Sequence, residues 1–334
     1  MNISGESTSS DANAFDRVPS GQLHSVVTGG AGFLGSHLVT SLLGDGRRVT
    51  VVDDLSTGSF ENLAHLDTPH LEVVVADISE GLSIDSPVDE IYHMASPASP
   101  PAYLARRVAT LRTGSAGTDH VLELALANEA RVLFASTSEI YGDPLEHPQT
   151  ETYWGNVNSI GPRSCYDEAK RYAEALAMAH HHELGTDVRI VRIFNTYGPR
   201  LSPGDGRVVS NFLSQALAGE PLTIYGDGSQ TRSFCFVDDL IRGIRALFHS
   251  DLVAIPVNLG DPHEMTVADL AELAIEVTGS DSKVEYLELP IDDPTRRRPD
   301  ITRATELLGW TPSVCLRDGL KMTAAWLMAQ NDSV

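Results

Sequence analysis

Tyr166 and Lys170 stand four residues apart in the run Tyr166-Asp-Glu-Ala-Lys170, a spacing that puts both on one face of a helix. An ammonium beside a phenol favours the phenolate. The tyrosine, ordinarily titrating near pH ~10, is then drawn toward working pH and becomes a proton acceptor for an alcohol being oxidised. Thr137, at the end of a β-rich run 29 residues upstream, adds a hydroxyl able to bond the same substrate oxygen. A Tyr-x-x-x-Lys pair alone arises by chance in many helices, so its meaning depends on a second constellation. Thr28-Gly-Gly-Ala-Gly-Phe-Leu-Gly35 sets Gly29, Gly32 and Gly35 in a G-x-x-G-x-x-G pattern between an apolar strand and a helix. Glycines there allow a tight turn and let backbone N–H groups approach a pyrophosphate, which the helix N-terminus stabilises. Asp53 lies 21 residues beyond Gly32 at the end of the next β-rich run. Its carboxylate suits a ribose 2′-hydroxyl and repels a 2′-phosphate, which selects NAD over NADP. The chemistry implied is hydride transfer between an alcohol carbon and NAD.

These groups need elements to hold them. Leu23–Thr28, Arg48–Asp53, Leu71–Ala76, Glu90–His93, Arg131–Ser136 and Asp187–Phe194 read as short strands. Between them lie helical stretches at Phe33–Leu43, closed by Gly44-Asp-Gly, and at Val108–Ala127 and Tyr166–Glu183. Such alternation predicts an α/β protein with a Rossmann, doubly wound parallel sheet. From Asn195 onward glycines, prolines and aromatics become frequent around helices expected at Val208–Ala218, Val237–Phe248, Val267–Thr278 and Leu316–Ala329. We expect an NAD-binding Rossmann domain over residues 21–195, to which 236–260 return through a strand at Pro256–Leu259. A smaller α/β C-terminal substrate-binding lobe is expected over 196–334. Residues 1–20 are rich in Ser, Asp, Asn and Gly and lack a signal-peptide apolar core, so they read as a disordered leader.

Composition narrows the partners. With 334 residues the chain exceeds what one core usually supports, which favours two lobes. Hydrophobic residues at 42% and charged residues at 21% are ordinary for a soluble globular protein and exclude collagen-like, coiled-coil or mainly disordered chains. A balance of 24 basic against 46 acidic residues, net −22, argues against nucleic acid and membrane as partners. An anionic ligand must then be held locally by arginines. Cys165, Cys235 and Cys315 are too few and too scattered for a disulfide scaffold or zinc site, and no apolar run reaches the length of a membrane span. Reduced thiols fit a cytoplasmic protein. His180-His181-His182 diverge around a helix and cannot converge on one ion, so no metal is expected. Cys165 has no neighbouring base and reads as a packing residue.

The glycine motif, Thr137 and the Tyr166/Lys170 pair resemble the extended short-chain dehydrogenase/reductase superfamily that acts on nucleotide sugars, over nearly the whole chain from Leu23 to Leu327. Longer runs resemble the UDP-glucuronate decarboxylase (UDP-xylose synthase) family within it. They include Ile91-Tyr-His-Met-Ala-Ser-Pro-Ala-Ser-Pro-Pro-Ala-Tyr103, Ala135-Ser-Thr-Ser-Glu-Ile-Tyr-Gly-Asp-Pro144, Gly161-Pro-Arg-Ser-Cys-Tyr-Asp-Glu-Ala-Lys170, Ile193-Phe-Asn-Thr-Tyr-Gly-Pro-Arg200 and Arg298-Pro-Asp-Ile301.

The resemblance implies oxidation at C4 of UDP-glucuronate, loss of CO₂ from the resulting β-keto acid, and re-reduction to UDP-xylose. Dehydratases of the superfamily carry Thr-Asp-Glu where this chain has Thr137-Ser138-Glu139, and Ser96–Pro101 replaces the Ser-His-Val segment of dehydratases and epimerases. A 4-epimerase or 4,6-dehydratase is thereby disfavoured. A non-catalytic NAD-sensing protein would not need the complete Thr137/Tyr166/Lys170 set. Glu139 is expected near C5, steering water or the ring during decarboxylation. The resemblance adds Phe33, Leu34, Asp54, Ser56, Thr57, Gly58, Asp77, Ile78, Met94, Ala95, Ser96 and Thr113 around the cofactor. It puts Arg207 and Arg232 near the diphosphate and Arg112, a lysine in the family, near the glucuronate. Tyr103, Asn195, Val209, Asn211, Tyr225 and Gln230 fall around sugar and uracil, and Arg298 is expected to touch the ligand. The superfamily commonly pairs the helices at Val108–Ala127 and Tyr166–Glu183 between subunits, which implies a homodimer built on a four-helix bundle.

Overall fold

The computed structural model describes residues 21–288 and 296–331, so the expected leader lies outside the described residues. The first half forms β1 (His24–Thr28), α1 (Phe33–Gly44), β2 (Arg48–Asp53), β3 (Leu71–Val75), β4 (Glu90–His93), α2 (Pro100–Ala105), α3 (Arg107–Arg112), α4 (Thr118–Asn128), β5 (Arg131–Thr137), α5 (Ser164–Leu184) and β6 (Val188–Ile193). The second half adds β7 (Thr196–Tyr197), α6 (Val208–Ala218), β8 (Leu222–Tyr225), β9 (Thr231–Ser233), β10 (Cys235–Phe236), α7 (Val237–His249), β11 (Pro256–Leu259), β12 (Glu264–Thr266), α8 (Val267–Thr278), β13 (Val284–Leu287), β14 (Arg296–Arg297), α9 (Thr302–Leu308) and α10 (Leu316–Asn331).

Seven strands form one sheet in the order β11-β6-β5-β4-β1-β2-β3, with every pairing parallel. β1 and β4 are buried along their whole length, because helices cover both faces of the sheet. Leu38 and Leu42 of α1 and Leu240, Ile244 and Leu247 of α7 fill one side, where Tyr92 stacks on Phe248 at 4.2 Å between ring centroids. Val121, Leu122 and Ala125 of α4 and Ala173 and Ala177 of α5 fill the other. Strand order reverses between β1 and β4, which opens a crevice beyond the carboxyl ends of the strands. The second half covers that crevice with α6, α8 and α10 and with two small sheets, one pairing β8 with β13 and the other ordered β12-β9-β14. Among the described residues no helix is long and apolar enough to cross a membrane.

The single helix expected over 108–127 is instead α3 and α4 joined by a π-turn at Thr113–Gly117. Close packing at two glycines accompanies this turn. A Cβ at Gly114 would lie 2.7 Å from the Cβ of Ala169 on α5, and one at Gly117 would lie 2.9 Å from Ile78 Cγ1. The turn brings Thr113 to the crevice, in keeping with the frequency of π-bulges at functional sites. Gly114→Val should lower stability by about 1–3 kcal/mol through overpacking against α5, read as a lower thermal midpoint. An unchanged midpoint would contradict this packing.

Candidate active site

Gly29 follows β1 with φ +70°, and a Cβ there would sit 2.7 Å from the backbone of Ala95. A Cβ at Gly35 would lie 2.1 Å from the Gly29 carbonyl oxygen. Side chains are thus excluded where the turn meets the start of α1. Gly32, the N-cap, provides no side-chain cap, and the first turn of α1 holds no acidic residue. The helix therefore presents its free N–H groups and positive dipole end to the crevice, lined there by Phe33, Leu34 and Gly35. Asp53 Oδ2 accepts from Ala31 N at 3.0 Å and Oδ1 from Leu55 N at 2.9 Å. Burial pushes this carboxyl upward, and the two backbone donors oppose it. Asp54, Ser56 and Thr57 continue along the wall, with Asp77 and Ile78 after β3 and Met94, Ala95 and Ser96 after β4. Gly58 sits behind this wall, where a Cβ would meet both Asp53 carboxylate oxygens at 3.0 Å. A glycine cradle closed to any Cβ, an uncapped helix start and a carboxylate beyond it suit a dinucleotide with an unphosphorylated ribose, so these residues fit NAD.

The reactive end lies across the same cavity of about 760 Å³, which Thr137, Ser138, Glu139, Tyr166 and Lys170 also line. β5 delivers Thr137 at its carboxyl end and α5 delivers Tyr166 and Lys170 one turn apart. The Tyr166 hydroxyl and Thr137 line the same cavity, and the Tyr166 ring stacks on Tyr103 with centroids 5.1 Å apart and planes within 9°. Lys170 Nζ donates to the Ala135 carbonyl at 2.7 Å and lies 5.0 Å from the Phe134 ring centroid. Burial pushes this ammonium down to about 7, against the pull of Glu174. Burial likewise pushes the Tyr166 phenol up to about 12, although the Thr137 hydroxyl opposes it. The expectation that Lys170 lowers the phenol through direct proximity is not what the protein alone displays. The ammonium is turned to β5, and at the phenol desolvation outweighs the groups that favour ionisation.

Glu139 occupies a clamp. Arg163 Nη2 donates to its Oε2 at 2.8 Å, while Arg297 Nη1 contacts its Oε1 and Arg297 Nη2 reaches the Gly142 carbonyl at 3.0 Å. Burial acts to raise the carboxyl, but the two guanidiniums overcome it and hold Glu139 ionised, well below the usual carboxylate range. A carboxylate so held steers charge and geometry and is a poor proton carrier.

Tyr103, Asn195, Arg207, Val209, Asn211, Tyr225, Gln230 and Arg232 all line the cavity. Arg207 Nε stands 3.0 Å from Asp205 Oδ1, and Gln230 Nε2 donates to the Tyr225 carbonyl at 2.7 Å. The structure does not bring Arg112 or Arg298 there. Arg112 is exposed in the last turn of α3. Arg298 directs its guanidinium to within 3.8 Å of Glu264 while its backbone N–H bonds Gln149. Adjacent side chains alternate sides in extended backbone, so the preceding Arg297 takes the inward place. Arg297 and Arg163 are the residues the sequence reading missed. Arg163 precedes Tyr166 by three residues, one turn along the same helix face, and that spacing could have revealed it.

Residues 25–260 match the NAD dependent epimerase/dehydratase family. The chain is 53% identical over 309 residues to UDP-glucuronic acid decarboxylase 1 of Arabidopsis thaliana, covering 91% of this chain and 70% of that one. It is 52% identical over 299 residues to UDP-glucuronic acid decarboxylase 1 of Xenopus tropicalis, covering 89% and 71%. The structure of the UDP-glucuronic acid 4-epimerase of Bacillus cereus, in complex with UDP-glucuronic acid and NAD, superposes with TM-score 0.83 at 26% identity, covering 92% of this chain and 100% of that one.

Lys170 yields a pH prediction. Its folded pKa lies below the unfolded value of 10.5, so between the two the unfolded chain binds the extra proton. Stability is then lost as pH falls from about 10.5 to about 7, and stays lost below. Lys170→Met should raise the thermal midpoint of the dinucleotide-free protein at neutral pH by about 2–4 °C, a change on the order of 1 kcal/mol, with the gain shrinking as pH approaches about 10.5. A lower midpoint at neutral pH would show that the ammonium is not a buried, destabilising charge.

Proposed function

The chain belongs to the NAD dependent epimerase/dehydratase family, and from that premise we propose that it converts UDP-glucuronate to UDP-xylose and CO₂. The observation that carries this reading is the clamp beside Tyr166: two guanidiniums against one ionised carboxylate, bordering the cavity where a sugar acid needs a cationic receptor. Ser138, buried and lining the cavity next to Thr137, provides no carboxylic acid of the kind dehydration requires. The half-identity to proteins named as decarboxylases supports the same choice.

The glycines of the α1 turn, Asp53, Thr113 and Lys170 would hold NAD⁺, which when bound supplies a hydride acceptor for C4, returns that hydride after CO₂ has left, and brings positive charge into the cavity. Tyr166 Oη accepts the proton of the C4 hydroxyl, and Thr137 orients that oxygen through its own hydroxyl. The Lys170 ammonium, one turn along α5, favours the phenolate, and the positive charge that NAD⁺ would bring acts in the same direction. With a ketone at C4 the C5 carboxylate is β to a carbonyl, so the electron pair left by CO₂ flows to the C4 oxygen, and the enolate returns to the ketone by taking a solvent proton at C5. At the C4 oxygen the protonated Tyr166 and Thr137 donate hydrogen bonds. Arg163 and Arg297 hold the carboxylate end, with Glu139 fixing both guanidiniums. Arg207 and Arg232 are assigned to the diphosphate, and Tyr225 and Gln230 to the nucleoside end.

Leu104, Val108 and Leu111 of the α2–α3 segment and Tyr172 of α5 are exposed on neighbouring helices, which supports a homodimer pairing these helices with a second copy. Its three cysteines are unpaired, which supports a reducing, cytoplasmic setting.

Incubation with UDP-glucuronate and NAD⁺ tests the reading. The expected product is lighter by one CO₂. An unchanged mass with an inverted C4 would make the protein an epimerase, and binding of NAD without turnover would make it a sensor. Tyr166→Phe should reduce CO₂ release by about 10²–10⁴-fold, the usual contribution of a general acid–base group; release at the parent rate would overturn the mechanism. Light scattering should return twice the 36.0 kDa of one chain, and a monomer mass would dismiss the dimer.

A further inference from the structure

Beside the clamp sits a carboxyl that the proton-transfer set does not use. Asp167, in the first turn of α5, is 6% exposed, and its Oδ1 has no hydrogen-bond partner among the described residues. Arg163 and Arg297 both engage Glu139, and neither forms an ion pair with Asp167. Asp167 is joined to the clamp through its backbone N–H, which donates to the Arg163 carbonyl at 3.2 Å, so the four groups make a set of two guanidiniums and two carboxyls; Glu139, Arg163 and Arg297 border the cavity and Asp167 does not. With Asp167 neutral the set carries one net positive charge, the complement of one sugar carboxylate. With Asp167 ionised the set is neutral and that complement is gone.

We propose that Asp167 is a positioning residue that controls recognition of the sugar carboxylate: protonated, it leaves one guanidinium charge for the substrate; ionised, it cancels that charge. The proposal rests on the decarboxylase reading above and names a specificity control within it.

The surroundings agree. Burial and then the Glu139 charge push the Asp167 carboxyl toward neutrality, Glu168 on the same helix adds to this, and Arg163 and Arg297 oppose it. Glu139 itself stays ionised across the neutral range. From α2, the Tyr103 phenol faces the same group and is pushed far up by burial, as is the neighbouring Tyr166 phenol. The Cys165 thiol, with Arg107 opposing its burial, is also raised and uncharged near neutral pH. Lys170 titrates in the same range but is turned to Ala135. It is common to every ligand of the cavity, so comparing a ligand that has the carboxylate with one that lacks it separates Asp167 from Lys170. By linkage, a bound carboxylate must in turn favour the protonated Asp167, so binding takes up a proton above neutral pH.

The test compares UDP-glucuronate with UDP-xylose, which lacks the carboxylate, on the NAD-loaded protein. From about pH 6 to about pH 8.5 the KM for UDP-glucuronate should rise about fivefold, the scale of one charge interaction across several ångströms of protein. The inhibition constant of UDP-xylose should stay level. In Asp167→Asn the rise for UDP-glucuronate should disappear. The parental slope persisting in that variant, or UDP-xylose following the same slope, would overturn the proposal. If the variant does not fold, calorimetry of the parent in buffers of different ionisation enthalpy decides the matter. Proton uptake with UDP-glucuronate but not with UDP-xylose supports the role of Asp167, and equal uptake with both rejects it. Absence of CO₂ release at every pH would defeat the decarboxylase reading itself, while the calorimetric comparison would still decide Asp167.

Discussion

One buried hydrogen bond, from Lys170 Nζ to the carbonyl of Ala135, ties the long helix α5 to the central strand β5. Ser136 Oγ, which donates to Glu174, joins the same two elements, and together these bonds seat α5 on β5 so that Tyr166 and Thr137 both face the crevice. The Lys170 bond is costly to maintain. It requires an ammonium out of water against the face of Phe134, with its partner a neutral carbonyl and not a carboxylate. A group of this kind is kept for its position and its proton. Around it the π-turn at Thr113–Gly117 lets α3 and α4 press against α5, so that the helix carrying the reactive phenol is gripped from strand and helix sides together.

Charge follows two scales in this molecule. The whole chain is strongly acidic, with a net −22, and repels an anionic nucleotide sugar at long range. Inside the cavity the balance inverts locally: Arg163, Arg200, Arg207, Arg232 and Arg297 all line it. Long-range repulsion is screened within about 8–10 Å at physiological salt, whereas contacts inside the cavity are screened far less. The acidic exterior and a diphosphate ligand are therefore compatible. The same surface discourages polyanions too large to enter.

Much of this was legible in the amino-acid order because parallel strands buried on both faces read as apolar runs, and those runs became β1 to β6 with shifts of a residue or two. Pro256–Leu259, read as a returning strand, pairs with β6. The glycine turn and Asp53 were visible because backbone geometry there leaves few residue types. What stayed hidden is tertiary. Nothing local in Val108–Ala127 announces that Gly114 and Gly117 meet Ala169 and Ile78, so the periodicity read as one unbroken helix. In the triplet Arg296-Arg297-Arg298 residue type alone does not distinguish the inward arginine; only the pairing of β14 with β9 sets which one faces Glu139. The spacing of Tyr166 and Lys170 announced their shared face, but not that the ammonium would aim at a carbonyl of β5.

The late return of β11 has a consequence for how the chain is made. Sixty-two residues separate Ile193, the last residue of β6, from Pro256, the first of β11, so on the ribosome β6 is exposed as a bare sheet edge for seconds before its outer neighbour is synthesised. An unpaired, apolar edge is a template for aggregation. In the folded chain that strand carries Arg189 and Arg192, paired with Asp187 and Glu174, both of which precede their partners in the sequence. The nascent edge is thus studded with charge while it waits, which discourages a second chain from docking in place of the strand still to come.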